Sequence, residues 1–339
     1  MAPAVLVQNL KKSYGDVAAV KDVSFAIAPG EIFGLLGPNG AGKTTTIRCL
    51  CTLMSPDAGT LEINGVSAID APRLARQMLG YIAQEVALDK VLTGRELLEL
   101  QAAIYHIPPG EIGDRIEKML SLLDITDIAD TKTGTYSGGQ MKRLDLAAGL
   151  LHQPSVLVLD EPTVGLDIES RTAVWNFLRQ LQSDGTTILL TSHYLEEVDA
   201  LAGRVAIIDS GKVISTGTPA DLKGQVGGDR ITLRIREFTA DDEADSARQL
   251  LSALPAVQDV IVNSAQGNSL NLVVDKGGDA LGAVQGALKQ AGLPTFGISQ
   301  SQPSLDDVYL AATGRSLMDA EMAAAGTRDL KKERKQSMR

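Results

Sequence analysis

Cysteine is nearly missing from the 339 residues: Cys49 and Cys51 are the only two. Two apart on a predicted helix, they face different sides, so neither a disulfide nor a metal site is expected and core packing is the reading. Long apolar runs are missing too. No stretch approaches the ~20 residues that cross a bilayer. The opening MAPAVLVQNLKK lacks the charged, apolar and small-residue layout of an export signal. These absences predict a cytoplasmic chain whose membrane role would come through a partner. Positive charge is also short. The 32 Lys and Arg against 42 Asp and Glu leave a net −10, which argues against a dedicated DNA or RNA binder. A single phosphate-binding loop is a local device and stays compatible with that balance. The hydrophobic share of 44% is that of a globular protein. The length allows two domains, or one large domain with an appendage.

What is present centres on Gly37-Pro38-Asn39-Gly40-Ala41-Gly42-Lys43-Thr44, followed by Thr45. Two glycines bracketing the turn, then Lys and Thr, satisfy the phosphate-loop pattern. The glycines let successive N–H groups curl toward a polyphosphate. Lys43 supplies a compact charge for the outer phosphate oxygens, and the Thr44 hydroxyl can ligate Mg²⁺. An apolar run before it (Glu31 to Leu36) and a helical stretch after it (Thr44 to Leu53) give the strand–loop–helix setting that the pattern requires.

A second apolar run, Val156 to Leu159, reads as a central parallel strand and ends in Asp160-Glu161. Beside a phosphate loop, Asp160 can hold Mg²⁺ through water, and Glu161 can orient or deprotonate an attacking water. Thr186 to Leu190 is a further buried strand that runs into Thr191-Ser192-His193, placing His193 for a terminal phosphate. Gln84 ends another apolar run, where it could reach metal or water or be an ordinary loop residue. Tyr14, in a predicted turn Lys11 to Gly15, could stack on an adenine or simply lie on the surface.

The remaining elements follow from local pattern. Val5, Val7, Val23, Phe25 and Ile27 alternate as strands with one buried face. Ser55 to Gly59 is a breaker cluster, and Asn64-Gly65 is a tight-turn signal after a strand at Thr60 to Ile63. Thr93 to Glu96 looks like a capping box, Pro108-Pro109-Gly110 a break, and Glu111 to Leu123 a helix. Ser137-Gly138-Gly139-Gln140 opens the next helix as an N-cap with permissive residues. Its functional reading is a second anion site built from hydroxyl, glycine N–H groups and helix dipole. After Gly165-Leu166-Asp167 comes an amphipathic helix with Val174, Phe177, Leu178 and Leu181. The sole tryptophan, Trp175, is assigned there to packing.

In this order the motifs resemble the ATP-binding-cassette (ABC) ATPases over roughly residues 3–220, about two thirds of the chain. The resemblance implies an α/β fold: a P-loop NTPase core at 1–223 with an antiparallel β subdomain and a helical subdomain at about 85–151. It implies ATP and Mg²⁺ as ligands, Tyr14 on the adenine, and Gln84 at both the metal and a membrane partner. Ser137 to Gln140 would bind the ATP held by a second copy, with Asp167 across that seam. Tyr136 stands where leucine is commoner. The stretches MKRLDLAAGLLHQP and SLDDVYLAATGR are similar to the daunorubicin/doxorubicin-resistance type, whose ATPase pairs with a separately encoded permease. That implies a homodimer on the inner face of the membrane, contacting the permease near Gln84 and the helical subdomain. A soluble cassette acting on nucleic acid or ribosomes, or the ATPase of an importer, are the alternatives.

Beyond a linker at Gly224 to Asp229, residues 229–313 read β-α-β-β-α-β, a small ferredoxin-like accessory domain. Residues 314–339 read as a basic flexible tail, with attraction to an anionic membrane surface as the alternative.

Overall fold

The computed structural model describes residues 2–237, 239–275 and 279–324. Residue contacts divide the chain into two units: one runs to residue 213 apart from 37–40, and the other comprises 37–40 with the residues from 214 on. The sequence pattern places the end of the cassette at residue 223. The division comes earlier because the helix α8 (Pro219–Gln225) packs against α11 (Leu305–Thr313) of the C-terminal unit.

Strands β1 (Val5–Tyr14), β2 (Val17–Ile27), β3 (Ile32–Leu36), β4 (Ala58–Ile63), β5 (Val66–Ser67), β6 (Leu79–Ile82), β7 (Val156–Asp160), β8 (Thr187–Ser192), β9 (Arg204–Asp209) and β10 (Lys212–Gly217) share one sheet. Its order is β5-β4-β1-β2-β10-β9-β3-β8-β7-β6. Pairings among β9, β3, β8, β7 and β6 are parallel. Every residue of β3, β7 and β8 is buried, as expected for parallel strands covered on both faces. The register matters for the site. Leu36 pairs with Ser192 and Asp160 with Thr191, so the carboxyl ends of three strands finish level along one edge.

The antiparallel part differs from the sequence expectation in two places. Lys11 to Tyr14 is strand, not turn, because β1 pairs through to Tyr14–Val17; the reversal falls at Gly15 and Asp16. Gly59 lies inside β4 rather than in a breaker. Its φ is 109°, and a Cβ there would stand 2.7 Å from the Gln8 carbonyl oxygen, so only glycine fits the close crossing. Asn64 and Gly65, at φ 49° and 77°, make the two-residue reversal that the Asn-Gly pair signals.

Between β6 and β7 stand α3 (Gly94–Ile104), α4 (Pro109–Leu122) and α5 (Gly138–Leu150), following α1 (Lys43–Leu50) and α2 (Pro72–Gln77) earlier in the chain. Pro109 does not only break a helix: it opens α4 at the first helical position, where a missing N–H costs nothing. After β7 come α6 (Ile168–Ser183) and α7 (Leu195–Leu201). The four apolar residues expected on α6 are the four it buries.

The C-terminal unit runs β11 (Asp229–Arg234), α9 (Asp241–Ser252), β12 (Val257–Asn263), β13 (Ser269–Val274), α10 (Ala280–Gln290), β14 (Gly297–Ser301) and α11. All pairings are antiparallel in the order β12-β13-β11-β14, which is the ferredoxin-like arrangement. Gly224 belongs to α8, so the expected linker shrinks to the positive-φ pair Gly227 and Gly228. Residues 317–324, read from sequence as flexible tail, are helical. Leu317 and Ala320 are buried there, and Asp319 accepts from Asn263 at 2.7 Å, which ties the segment down. The basic stretch from Thr327 lies outside the described residues.

Candidate functional site

The loop leaves β3 at Gly37 and passes Pro38, Asn39, Gly40 and Ala41 before α1 begins. Gly40 and Gly42 take φ of 87° and 109°, conformations that L side chains rarely adopt. Gly42 is the N-cap of α1, and a Cβ on it would lie 2.8 Å from the Ala19 carbonyl oxygen. Lys43 starts the helix and is only 4% exposed. Thr44 and Thr45 follow, half-buried.

Three of the singled-out side chains converge on the carboxylate of a fourth, Glu161. Glu161 Oε2 accepts from Gln84 Nε2 at 2.7 Å, while Oε1 lies 3.2 Å from His193 Nδ1 and 3.7 Å from Lys43 Nζ. The four arrive from four places: the end of β6, the end of β7, the end of β8 and the start of α1. Glu161 is 6% exposed and sits at φ 50°, rare for a residue with a side chain. Its N–H donates to both the carbonyl and the hydroxyl of Thr191, which hold the turn. Burial pushes the Glu161 carboxyl up, but the His193 hydrogen bond and the Lys43 charge more than offset it and hold it below the usual range.

Asp160, 1% exposed, is next to it. Its Oδ1 accepts from Thr191 Oγ1 at 2.6 Å and from Thr44 Oγ1 at 3.4 Å. A hydroxyl and a carboxylate presented together are hard oxygen donors of the kind Mg²⁺ takes. Among the described residues no group of three or more His, Cys, Asp or Glu could hold a metal alone. An ion at Thr44 and Asp160 would therefore take its other oxygens from phosphate and water, as Mg²⁺ in nucleotide sites does. The residues fit that ion.

Ser137 and Asp167 each begin a helix. Ser137 forms a full capping box with Gln140: Ser137 Oγ accepts from the Gln140 N–H, and the Ser137 N–H donates to Gln140 Oε1 at 2.8 Å. Gly138 has open space where a Cβ would be, whereas a Cβ on Gly139 would meet Ser170 Oγ at 2.7 Å. Ser170 in turn donates from its N–H and its hydroxyl to Asp167. Ser137, Gly138 and Asp167 are all exposed, and Ile168 beside them is 81% exposed. Tyr136 is buried, donates its hydroxyl to the Ile128 carbonyl at 2.7 Å, and fits against the bare backbone of Gly94. Tyr14 is exposed, with its hydroxyl 3.1 Å from Met54 Sδ.

Sequence reasoning missed three residues. Thr191 braces both Asp160 and Glu161, although its place two residues before His193 was a signal. Glu197 is 1% exposed and accepts from Thr163 and from Trp175, so the tryptophan has a polar tie as well as packing. Lys142, five residues past Ser137, is buried and donates to the Ala83 carbonyl at 2.9 Å, which links α5 to the residue before Gln84. Cys49 and Cys51 are free and buried, as core packing predicts.

A sequence profile of the ABC transporter family matches residues 20–164. A second profile, described as AAA domain, putative AbiEii toxin, Type IV TA system, matches residues 131–199. A daunorubicin resistance ATP-binding protein of Streptomyces coeruleorubidus is 40% identical over 92% of this chain and 96% of its own length. The linearmycin resistance ATP-binding protein of Bacillus subtilis is 36% identical, covering 92% of this chain and 99% of that protein. Among solved structures, an ATP-binding subunit of an ABC transporter superposes with a TM-score of 0.61 at 29% identity, over 66% of this chain and 93% of the other. A dimeric ATP-binding cassette in a post-hydrolysis state, bound to ADP and Pi, gives 0.58 at 26% identity over 63% and 98%. With relatives of this similarity spanning nearly their whole length, the chain belongs to the ABC transporter ATPases.

Proposed function

We propose that this chain is the ATP-binding and ATP-hydrolysing subunit of an exporter, working on a drug or other hydrophobic molecule through a separately encoded membrane permease. The observation that carries the ATPase half is the convergence of Gln84, Lys43 and His193 on buried Glu161. Export rests on relatives named for daunorubicin resistance, linearmycin resistance and Nod factor export. No helix among the described residues is long and apolar enough to cross a membrane, so the permease would supply the passage. Attachment would be at the inner face of the cell membrane, with contacts near Gln84 and α3 to α5.

The reaction follows from the site. Backbone N–H groups of Asn39 to Thr44 and the Lys43 ammonium would cradle the phosphates of ATP, with Tyr14 against the adenine. Thr44 and Asp160 would hold Mg²⁺, with Gln84 near it; the ion neutralises charge on the outer phosphates when bound. Glu161 sits below the usual carboxylate range and is ionised at neutral pH. A carboxylate so placed orients an attacking water more effectively than it removes the proton. His193 would then donate toward the γ-phosphoryl oxygens as charge shifts onto them. Ser137 to Gln140, with Ser137 and Gly138 exposed, and exposed Asp167 would complete the site of a second copy, so that two ATPs lie between two chains.

The test is Glu161→Gln. Keeping the shape and removing the charge should lower turnover by ~10²–10⁴-fold while ATP and Mg²⁺ accumulate a dimer in size-exclusion chromatography. A variant that stays monomeric at saturating nucleotide would sink the sandwich. Export is tested separately by drug sensitivity of cells carrying the chain with and without the neighbouring permease.

A further inference from the structure

The ferredoxin-like sheet has two faces, and they are filled differently. Ile231, Leu233, Leu270 and Leu272 point toward α9 and α10 and make a continuous apolar core with Leu251 and Val284. Strand alternation puts Arg230 and its pairing neighbour Val273 on the opposite face, together with Asn271. That face is covered by α8 and α11, and the cover is hollow. A cavity of about 550 Å³ remains, within the range of small-molecule sites. None of its lining residues belongs to the phosphate loop or the Glu161 cluster.

Arg230 lines this cavity and is only 4% exposed. Its Nε lies 3.2 Å from Asp307 Oδ1 on α11, and its Nη2 donates to the Val226 carbonyl at 2.9 Å. Nη1 is buried as well, and no acceptor among the described residues meets it. A guanidinium stays charged and carries five donors in a fixed plane, so it cannot turn the unused N–H away without breaking the other two contacts. A buried donor without a partner is costly. The rest of the wall is mainly apolar, with Leu222, Val226 and Val308 among its residues, and is interrupted by the uncharged polar Ser215, Gln225, Gln258 and Asn271. Among the described lining residues, two carboxylates, Asp259 and Asp307, stand against one guanidinium, a balance that is acidic and disfavours an anion.

From the unused donor, the apolar wall and the acidic balance, we infer that this cavity binds an uncharged, mostly apolar molecule of drug-like size whose carbonyl-type oxygen accepts from Arg230 Nη1. A buried water could satisfy the same donor, so the test must separate a ligand site from a hydrated gap. Three matched probes do this on the full chain by ligand-observed NMR titration: benzophenone, its hydrocarbon counterpart diphenylmethane, and anionic 4-benzoylbenzoate. Benzophenone should bind on the order of 10-fold tighter than diphenylmethane, the value of one charge-assisted hydrogen bond, and tighter than the anion. Arg230→Met should erase the preference for the ketone. Ala311→Trp, an exposed residue of α11 at the lining, keeps the Arg230–Asp307 pair and should block both neutral probes. Equal affinity for ketone and hydrocarbon, tighter binding of the anion, no saturable binding, or binding that survives Ala311→Trp would each overturn the assignment.

Discussion

Lys43 and Arg230 are equally buried, each 4% exposed, yet the two units treat these cations differently. Lys43 faces a carboxylate shared among three side chains, each from a different element, in a loop of strained glycines. Arg230 sits in an ordinary antiparallel strand, takes one carboxylate from distant α11 and one carbonyl from nearby chain, and has a donor to spare. A buried charge that serves a reaction is surrounded by groups that can exchange partners when substrate arrives. One that serves architecture needs only to be neutralised, and a leftover donor then marks an open position.

The comparison breaks first, and most visibly, at His193. Replacing it with Ala should lower ATP turnover by ~10²–10³-fold, the cost of removing one donor if it is aimed at developing charge as proposed. It should also release Glu161 from the hydrogen bond that depresses its pKa, moving the acid limb of the rate profile to higher pH. Steady-state rates across pH report both. A slower enzyme with an unmoved acid limb would mean that the short His193–Glu161 approach does not set the charge of the carboxylate.

On the other side, Asp307→Ala should destabilise the C-terminal unit by about 3 kcal/mol, because the buried guanidinium loses the one carboxylate that pairs with it among the described residues. Asp307 also accepts from the Ser304 N–H and hydroxyl as the cap of α11. Ser304→Ala therefore serves as the control that isolates the cap, worth about 1 kcal/mol. Urea unfolding of the three proteins gives the difference. If Asp307→Ala costs no more than Ser304→Ala, Arg230 is solvated in solution and the contrast with Lys43 fails.

These two regions were unequally legible in the sequence. Gly37 to Thr44, Asp160-Glu161 and His193 stand at strand ends, where local order alone puts chemistry on one edge once the strands are parallel. Their meeting at Glu161 depends on the β3–β8–β7 register, which no short motif contains. Ser137 is legible as a cap, and its spacing to Gln140 is that of a capping box, as local a pattern as the one at Thr93 to Glu96. In the C-terminal unit, alternation and helix spacing gave the order of elements, and little more. Arg230 and Asp307 are 77 residues apart and carry no motif, so nothing local announces the pair. The turn expected at Lys11 to Gly15 went wrong for a related reason: a lysine-rich stretch looks like a turn until its partner strand is known. Residues 317–324 read as tail because Asn263, the buried partner of Asp319, lies far upstream.

The smallest predicted effect sharpens a contrast inside the first unit, between two acids pushed in opposite directions. Burial drives the Asp145 carboxyl up to about 6, with Lys142 at 3.7 Å pulling it down only in part. Glu161 goes the other way. For Glu161, the stabilising contribution is present above its unfolded value of 4.5 and is lost as pH falls through the lower folded value. For Asp145 the sign reverses. The unfolded chain gives up this proton near 3.8 while the folded chain holds it to about 6, so stability contributed by Asp145 is full below 3.8 and drains away as pH rises between those values. Asp145→Asn cannot ionise and should escape that loss, gaining on the wild type by about 2 kcal/mol between pH 4 and pH 6.5. Burial also depresses Lys142, the cation beside Asp145. Urea midpoints of both proteins at half-unit pH steps measure the difference. A constant offset would show that Asp145 is hydrated in solution and that Glu161 is the only carboxylate of the pair whose titration the fold controls.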